Sequence, residues 1–222
     1  MKHCGIKRWK KFLSYFVDYP LERGNSGITG GLKLTLNMGR ICLSTKNAIY
    51  SYEDLYTSFS VGLHFLGDRI QGFRNVLILG FGMGSVAWMI RNEYKSKARI
   101  VGVELDRWVI DQFCKYYDFE DIELHNMDAI DFLRENKEHF DLVCIDLFED
   151  ELTPPQFEEE AFLRLVAEAL APGGYVIYNK LPAVGENFSP ESRLAAVFTN
   201  VFPNTRMLPA RANRLMVGIM EA

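Results

Sequence analysis

The sequence predicts an α/β protein in which a mostly parallel sheet is covered by helices on both faces and closed by an antiparallel hairpin. From Asn75 onward, short apolar segments alternate with segments of helical period, as in strands joined by crossover helices. Before that point, two segments of alternating apolar residues flank an Asn-Met-Gly turn, which predicts a small N-terminal β-hairpin appendage. We therefore expect an N-terminal helix and small β appendage over 1–58, followed by a cofactor-binding and catalytic domain over 59–222.

The elements follow in order along the chain. The appendage strands are predicted at 32–36 and 40–45. The strands of the main sheet are predicted at 76–80, 99–104, 122–125, 140–146 and 175–180. Its helices are expected near 84–94, 107–117, 128–137 and 156–170, and its closing hairpin at 206–208 with 215–220.

The N-terminal helix is predicted from residues 7–16, where Trp9, Phe12, Leu13 and Phe16 share one face and the basic residues lie largely off it. An interfacial membrane helix has this pattern. Because the segment is short, we favour packing of its aromatic face on the body of the protein or on a second subunit.

Composition and charge exclude several classes of function. The 222 residues carry a net charge of −4, with 11 basic and 5 acidic residues over 1–74. The rest of the chain is acidic, so whole-chain charge gives no argument for nucleic-acid binding. Four scattered cysteines indicate neither a disulfide framework nor a metal site. In the absence of a spanning apolar run or a signal peptide, we expect a cytoplasmic protein without a membrane partner.

A glycine-rich turn follows the first strand of the main sheet. Gly80, Gly82 and Gly84 come between an apolar strand and a helix, so the backbone there can approach a ligand closely. The spacing is G-x-G-x-G, and Ser85 stands where a dinucleotide fingerprint has its third glycine. The pattern predicts a Rossmann-like site that disfavours NAD.

Acids stand at the ends of the next three strands. Glu104 ends the second strand, where a carboxylate can accept both hydroxyls of a ribose. Asp128 follows the third strand and suits an adenine amine, a helix N-cap, or both. Asp146 ends the strongly apolar fourth strand beside the glycine turn, and we expect it to touch the substrate. The sequence thus indicates a nucleoside-type cofactor.

An acidic segment surrounds Asp146 and would attract a cationic substrate. Its glutamates at 158–160 equally suit the positive end of the following helix. Function is favoured for Asp146 and Glu149. The segment contains Asp146, Glu149, Asp150, Glu151, Glu158, Glu159 and Glu160.

The ordered set of motifs resembles the spermidine synthase group of the class I S-adenosylmethionine-dependent methyltransferase fold, over roughly residues 30–220. Residues 50–55 (Y-S-Y-E-D-L) are similar to the family's F-S-Y-Q-E-M, and 79–84 (L-G-F-G-M-G) to its I-G-G-G-D-G. Residues 103–106 match V-E-I-D, residues 140–146 match Y-D-V-I-I-x-D, and 169–174 match L-x-x-x-G.

The resemblance implies a role for each matching residue. Glu104 would hold the cofactor ribose and Asp128 the adenine. Asp146 would deprotonate an attacking amine, with Tyr52 as its helper tyrosine.

Two further roles follow from the same resemblance. Glu53 occupies the place of a cofactor-contacting glutamine, and Glu149 that of an acid that receives a substrate amine. Family members are commonly dimers or tetramers, which implies that a homodimer could form through the appendage.

Three functions are compatible with this sequence. Met83 replaces the glycine-loop aspartate that contacts the aminopropyl side of decarboxylated S-adenosylmethionine in the family, and a thioether cannot bind an ammonium group that way. We therefore favour methyl transfer from S-adenosylmethionine to a small or amine-bearing acceptor. The alternatives are an aminopropyltransferase that uses putrescine and the decarboxylated cofactor, and a noncatalytic member that binds a cofactor or partner.

Overall fold

The computed structural model describes residues 1–26, 30–46, 48–149, 152–181, 192–210 and 213–221. Within these ranges the strands are β1 (Lys2–His3), β2 (Tyr19–Ser26), β3 (Gly30–Asn37), β4 (Arg40–Ser44), β5 (Ile49–Ser51), β6 (Asn75–Leu79), β7 (Arg99–Glu104), β8 (Tyr117–Asp118), β9 (Ile122–Asn126), β10 (Phe140–Ile145), β11 (Leu170–Lys180), β12 (Arg206–Ala210) and β13 (Asn213–Ile219). The α-helices are α1 (Arg8–Leu13), α2 (Thr57–Leu66), α3 (Ser85–Asn92), α4 (Arg107–Tyr116), α5 (Ala129–Glu135), α6 (Glu160–Ala169) and α7 (Arg193–Val201). Short 3-10 turns lie at Glu53–Leu55, Gly67–Gly72 and Pro155–Glu158.

The main sheet has seven strands in the order β12-β13-β11-β10-β6-β7-β9. The strands from β11 to β9 pair in parallel, whereas β13 pairs antiparallel with both β11 and β12. The predicted α/β class, with a mostly parallel sheet and a closing antiparallel hairpin, is confirmed. The order reverses between β6 and β10, so a crevice forms at their carboxyl ends.

Helices cover both faces of this sheet, because β6 and β10 are apolar on both sides and would otherwise expose apolar surface. Helices α2, α3 and α4 pack on one face and contribute Phe59, Val86 and Phe113 to its core. Helices α5, α6 and α7 cover the other face, where Leu163 and Phe198 are fully buried.

The N-terminal sheet has four strands in the order β2-β3-β4-β5. The predicted hairpin is its central pair, with Leu36 opposite Ile41. Leu34, Leu36 and Ile41 are buried in the same core as α2 and α3, so the appendage packs directly against the main sheet domain. The edge strand β2 was not predicted from sequence, since Pro20 and several polar residues obscure its alternation.

The N-terminal helix α1 is shorter than the predicted segment, and its C-terminal end is hydrogen-bonded to the N-terminal sheet. The Ser14 hydroxyl accepts a hydrogen bond from the Gly39 backbone N–H at 2.9 Å, which ties the helix to the β3–β4 turn. Trp9, Phe12 and Phe16 are 50%, 65% and 72% exposed. Trp9 packs edge-on against Tyr19 of β2, but Phe12 and Phe16 are not covered by the body of the protein. Packing of this face on a second subunit, the other possibility that the sequence left open, stays a prediction.

The helices in the described ranges include none with the length and apolar character needed to cross a membrane.

Candidate active site

The candidate site lies at the carboxyl ends of β10, β6, β7 and β9. Leu79 stands opposite both Ile145 and Val103 in register, so the next residue of each chain segment, Gly80, Asp146 and Glu104, lies at one level. Gly80, Gly82, Glu104, Asp128, Asp146 and Glu149 all line one cleft. The strand register thus brings together six of the residues that the sequence singled out.

The glycine turn is shaped by two positions that require glycine. Gly80 has φ +80°, and a Cβ atom there would lie 2.1 Å from the backbone oxygen of Asp146. Gly84 has φ +75° and immediately precedes α3. The N–H groups of Gly80 and Phe81 both donate to the Val103 carbonyl, at 2.9 and 3.0 Å, which fixes the turn against β7. Side chains larger than hydrogen would force this turn out of the crevice.

Glu104 is held beside the turn by two backbone donors. Its Oε2 accepts from Gly82 N–H at 2.8 Å and its Oε1 from Asp106 N–H at 3.0 Å. Burial raises the pKa of this carboxyl, and the backbone hydrogen bonds oppose the rise. Each oxygen retains lone-pair capacity. The carboxylate can therefore receive the hydroxyls of a ribose without losing its own support.

Asp128 serves as the N-cap of α5. One carboxylate oxygen, Oδ1, accepts from Ile130 N–H at 2.7 Å and from Asp131 N–H at 3.3 Å. The residue also lines the cleft, so its second oxygen remains able to accept an amine. The two roles considered for Asp128 are geometrically compatible.

Asp146 stands on the cleft floor with two side-chain donors behind it. The Tyr56 hydroxyl donates to Oδ1 at 3.1 Å and Asn179 Nδ2 donates to the same atom at 2.9 Å. Burial raises the pKa of Asp146 to about 7, against the lowering effect of these two hydrogen bonds. A carboxyl group with this pKa exchanges protons readily near neutrality, which suits a general base.

Tyr52 and Tyr56 lie on one short segment but face different partners. The Tyr52 hydroxyl donates to the Asn37 side chain at the end of β3, and its backbone N–H donates to the Ser85 hydroxyl at 2.7 Å. The structure thus brings Tyr56, rather than Tyr52, to Asp146.

Glu53 lies outside the cleft, in a polar cluster with the N-terminal strand. Its Oε1 accepts from the Ile41 backbone N–H at 2.8 Å and from the Tyr117 hydroxyl at 2.8 Å, and it lies 2.6 Å from His3 Nε2. The residue has φ +46°, which turns its side chain toward β1 and β8. The structure does not bring Glu53 to the other predicted cofactor residues.

Met83 is 1% exposed and belongs to the apolar core under the glycine turn. At this position the chain therefore presents no polar group to the cleft.

The acidic segment divides into two parts. Glu149 is exposed and lines the cleft, close to Asp146 along the chain. The glutamates before α6 are paired instead: Glu158 lies 2.6 Å from Lys180 Nζ, and Glu159 lies 2.9 Å from Arg193 Nη2. Glu160 pairs with Arg164 one turn along α6. Asp150 and Glu151 lie outside the described residues, and the described acids that line the cleft are Glu104, Asp106, Asp128, Asp146 and Glu149.

Sequence reasoning missed three polar residues behind Asp146. Asn179 is the penultimate residue of β11, which neighbours β10, and it follows Tyr178, the partner of Ile145; the strand-end rule applied to β11 would have identified it. Asn213 Nδ2 donates to Asn179 Oδ1 at 2.8 Å. Asn213 begins β13, the strand that pairs with the other edge of β11. For Tyr56, 90 residues before Asp146 in the chain, the sequence contained no such signal.

The groups lining the cleft fit an adenosyl-type cofactor. The doubly supported Glu104 carboxylate offers ribose acceptors, and the glycine turn lets backbone approach the ligand. Apolar side chains complete the walls for a planar base, among them Leu105, Val109 and Met127. In the described ranges there is no cluster of side chains suited to holding a metal ion.

Comparisons with known proteins agree with this geometry. A probable polyamine aminopropyl transferase of Bifidobacterium longum (strain NCC 2705) is 30% identical over 137 residues, which are 61% of this chain and 30% of the relative. The chain thus spans about a third of the length of the curated relative that it matches.

Two solved structures share the fold. A spermidine synthase in complex with the transition state analogue AdoDATO superposes with a TM-score of 0.68 at 16% identity, over 90% of this chain and 73% of the other. Human methyltransferase-like protein 13 in complex with SAH gives a TM-score of 0.62 at 21% identity, over 74% of this chain and 81% of the other. Both likenesses show the Rossmann-like class I methyltransferase fold.

The model of the spermine/spermidine synthase domain matches residues 56–215. This range runs from Tyr56 to the closing strand β13 and includes the glycine turn, Glu104, Asp128 and Asp146. The chain therefore belongs to the spermine/spermidine synthase family.

Proposed function

We propose that the chain is an aminopropyltransferase that moves an aminopropyl group from decarboxylated S-adenosylmethionine to a small amine. The observation that carries the proposal is the shared cleft, in which Glu104 and Asp146 stand at one level with the glycine turn between them. Family membership and the aminopropyl transferase named as a relative support the choice of transferred group.

This proposal replaces the expectation of methyl transfer. That expectation rested on Met83, which lies in the core instead of in the cleft. Methyl transfer remains a second candidate because no acid stands at this position of the glycine turn and because a methyltransferase in complex with SAH shares the fold.

Glu104 and Asp128 would hold the cofactor in this proposal. Glu104 accepts the ribose hydroxyls, and the free oxygen of Asp128 accepts the adenine amine. When bound, the decarboxylated cofactor supplies a carbon activated by its neighbouring sulfonium, so that a nitrogen–carbon bond forms as a carbon–sulfur bond breaks and a neutral thioether leaves. The enzyme's main contribution is then alignment of the two reactants.

Asp146 would act on the acceptor. Its carboxylate takes the proton from the amine nitrogen as that nitrogen bonds to carbon, which leaves a neutral secondary amine and a protonated Asp146. Glu149, at the mouth of the cleft, would bind a second ammonium group of the acceptor. A diamine such as putrescine satisfies both carboxylates.

The test measures binding of S-adenosylmethionine and of its decarboxylated form, then incubates each with putrescine and identifies products by mass. We expect tighter binding of the decarboxylated form and formation of spermidine. A methylated amine formed only from S-adenosylmethionine would establish the second candidate. Binding of neither compound would contradict both and favour a noncatalytic member.

The molecular setting of this activity is also a proposal. We expect a cytoplasmic enzyme that uses small molecules and forms a homodimer through the exposed aromatic face of α1. The basic residues of α1 lie largely off that face, so two copies can pair there without opposing their positive charges. Sedimentation of the purified protein, compared with a Phe12→Ser/Phe16→Ser variant, measures this association.

A further inference from the structure

The Asp146 carboxylate is bound asymmetrically. Its two side-chain hydrogen bonds, from Tyr56 at 3.1 Å and Asn179 at 2.9 Å, both end on Oδ1. Among the described residues, no group bonds Oδ2. Asp146 itself lines the cleft, whereas neither Tyr56 nor Asn179 does. The two donors therefore stand behind the carboxylate and leave Oδ2 to the cleft side.

Each donor is fixed by its own surroundings. The Tyr56 ring is 8% exposed and stacks on Phe59 of α2, with ring centroids 6.4 Å apart and planes 19° apart. Asn179 is 1% exposed, and its carbonyl oxygen accepts from Asn213 Nδ2 at 2.8 Å. That bond orients the Asn179 amide so that its N–H points to Asp146. The support is rigid because all three residues are packed against the sheet.

We propose that Tyr56 and Asn179 are the positioning residues of Asp146, and that Tyr56 takes the helper role that the family resemblance gives to Tyr52. This inference rests on the proposed function, in which Asp146 receives the proton of the acceptor. Tyr52 cannot share the role in this arrangement, because its hydroxyl is committed to Asn37.

The hydrogen bonds from Tyr56 and Asn179 affect the pKa of Asp146 as well as its position. The titratable groups acting on Asp146 are Tyr56 of the segment before α2 and Glu104 at the end of β7, whereas the buried Cys144 thiol of β10 is itself affected by the Asp146 charge, which raises its pKa. Burial and Glu104 raise the pKa of Asp146, and the donors Tyr56 and Asn179 lower it by stabilising the carboxylate. Loss of one donor should therefore raise this pKa further.

The experiment compares two equal changes on one segment, Tyr56→Phe and Tyr52→Phe, each of which removes a single hydroxyl. Carboxyl carbon NMR of aspartate-labelled protein gives the pKa of Asp146 directly, with the signal assigned by its loss in Asp146→Asn. We expect Tyr56→Phe to raise this pKa by about 1–2 units, the worth of one hydrogen bond to a charged group. Tyr52→Phe should leave it within about 0.2 unit.

Turnover provides the second readout. In Tyr56→Phe, the pH at which kcat/KM reaches half of its maximum should increase by as much as the pKa of Asp146. The loss of activity should therefore be several-fold larger at pH 6.5 than at pH 8.5. Asn179→Ser, which shortens the other donor, should shift both readouts in the same direction.

The outcomes separate the inference from the proposed function. An unchanged Asp146 pKa in Tyr56→Phe, or a larger shift in Tyr52→Phe, overturns the positioning role whatever the activity. If the NMR shift occurs but no aminopropyl transfer is found in the wild-type protein, the positioning role is supported and the proposed reaction fails. Circular dichroism of each variant confirms that the fold is intact.

Discussion

Two opposing influences act on Asp146 at the scale of the residue. Burial beneath the glycine turn disfavours the charged carboxylate, and the hydrogen bonds from Tyr56 and Asn179 favour it. The resulting pKa of about 7 places the change from acid to base within the neutral range. A general base must be ionised to accept a proton, so activity should rise with pH through this value.

Asp146→Asn should abolish transfer and leave cofactor affinity largely unchanged, because the proposed role of Asp146 is toward the acceptor. An amide nitrogen or oxygen accepts a proton far less readily than a carboxylate, whereas its size is the same. Calorimetric titration with the cofactor and product detection by mass spectrometry measure the two properties separately. Turnover equal to that of the wild-type protein would remove Asp146 from the mechanism.

Glu104→Gln should weaken cofactor binding by about 1.5–3 kcal/mol, the loss expected for hydrogen bonds to a charged group. The substitution keeps the side-chain size but replaces one acceptor oxygen by a donor. Titration calorimetry measures the change, and Glu168→Gln, an exposed acid on α6, is the matched control. Equal affinities in the two variants would contradict the ribose assignment.

The parallel register organises the site at the scale of the element. Since β10, β6 and β7 end at one level, the residues that follow them meet without any long loop. The glycine turn then depends on backbone geometry more than on side chains. Glycine at position 80 is required both by its positive φ and by the close approach of Asp146.

Gly80→Ala should destabilise the protein by more than about 1 kcal/mol, since alanine is strained at positive φ, and should also impair cofactor binding. Gly72→Ala is the control, because a Cβ atom there meets nothing within 4 Å. Urea unfolding and cofactor titration of both variants measure the two effects. A Gly80→Ala protein that matches the control in both would show that the turn tolerates a side chain.

Sequence patterns predicted the sheet and the strand-end acids because both depend on local order. Short continuous apolar runs locate β6, β7 and β10, and the rule for carboxyl ends then brings Glu104 and Asp146 together. The direction of a single side chain on an irregular segment follows no such pattern. Glu53 turns away from the cleft through its positive φ, and the division of hydrogen bonds between Tyr52 and Tyr56 depends on tertiary packing.

At the scale of the whole molecule, burial of the Asp146 carboxylate, the proposed base, lowers the stability of the fold. An aspartate of ordinary pKa, 3.8 when unfolded, has a pKa of about 7 in the folded chain. Between these values the folded state binds more protons than the unfolded state, so this group lowers stability as pH rises. The penalty is complete above pH 7 and absent below the unfolded pKa.

Asp146→Asn should therefore raise the melting temperature at pH 8, and the difference from the wild-type protein should vanish toward pH 4. The amide oxygen can still accept from Tyr56 and Asn179, so the packing behind residue 146 is retained. Thermal unfolding of both proteins at the two pH values measures the effect. Equal melting temperatures at pH 8 would show that burial of the carboxylate is not penalised.

The hydrogen bond from Asn213 to Asn179 also bears on the order in which the site can form during synthesis. During synthesis from the amino end, Gly80, Glu104 and Asp146 all leave the ribosome before the closing strand β13 that carries Asn213. The amide behind Asp146 acquires its orientation only when β13 pairs with β11. A nascent chain can thus assemble the proposed cofactor pocket first, and the proposed base is set in place only by a strand that emerges after that pocket.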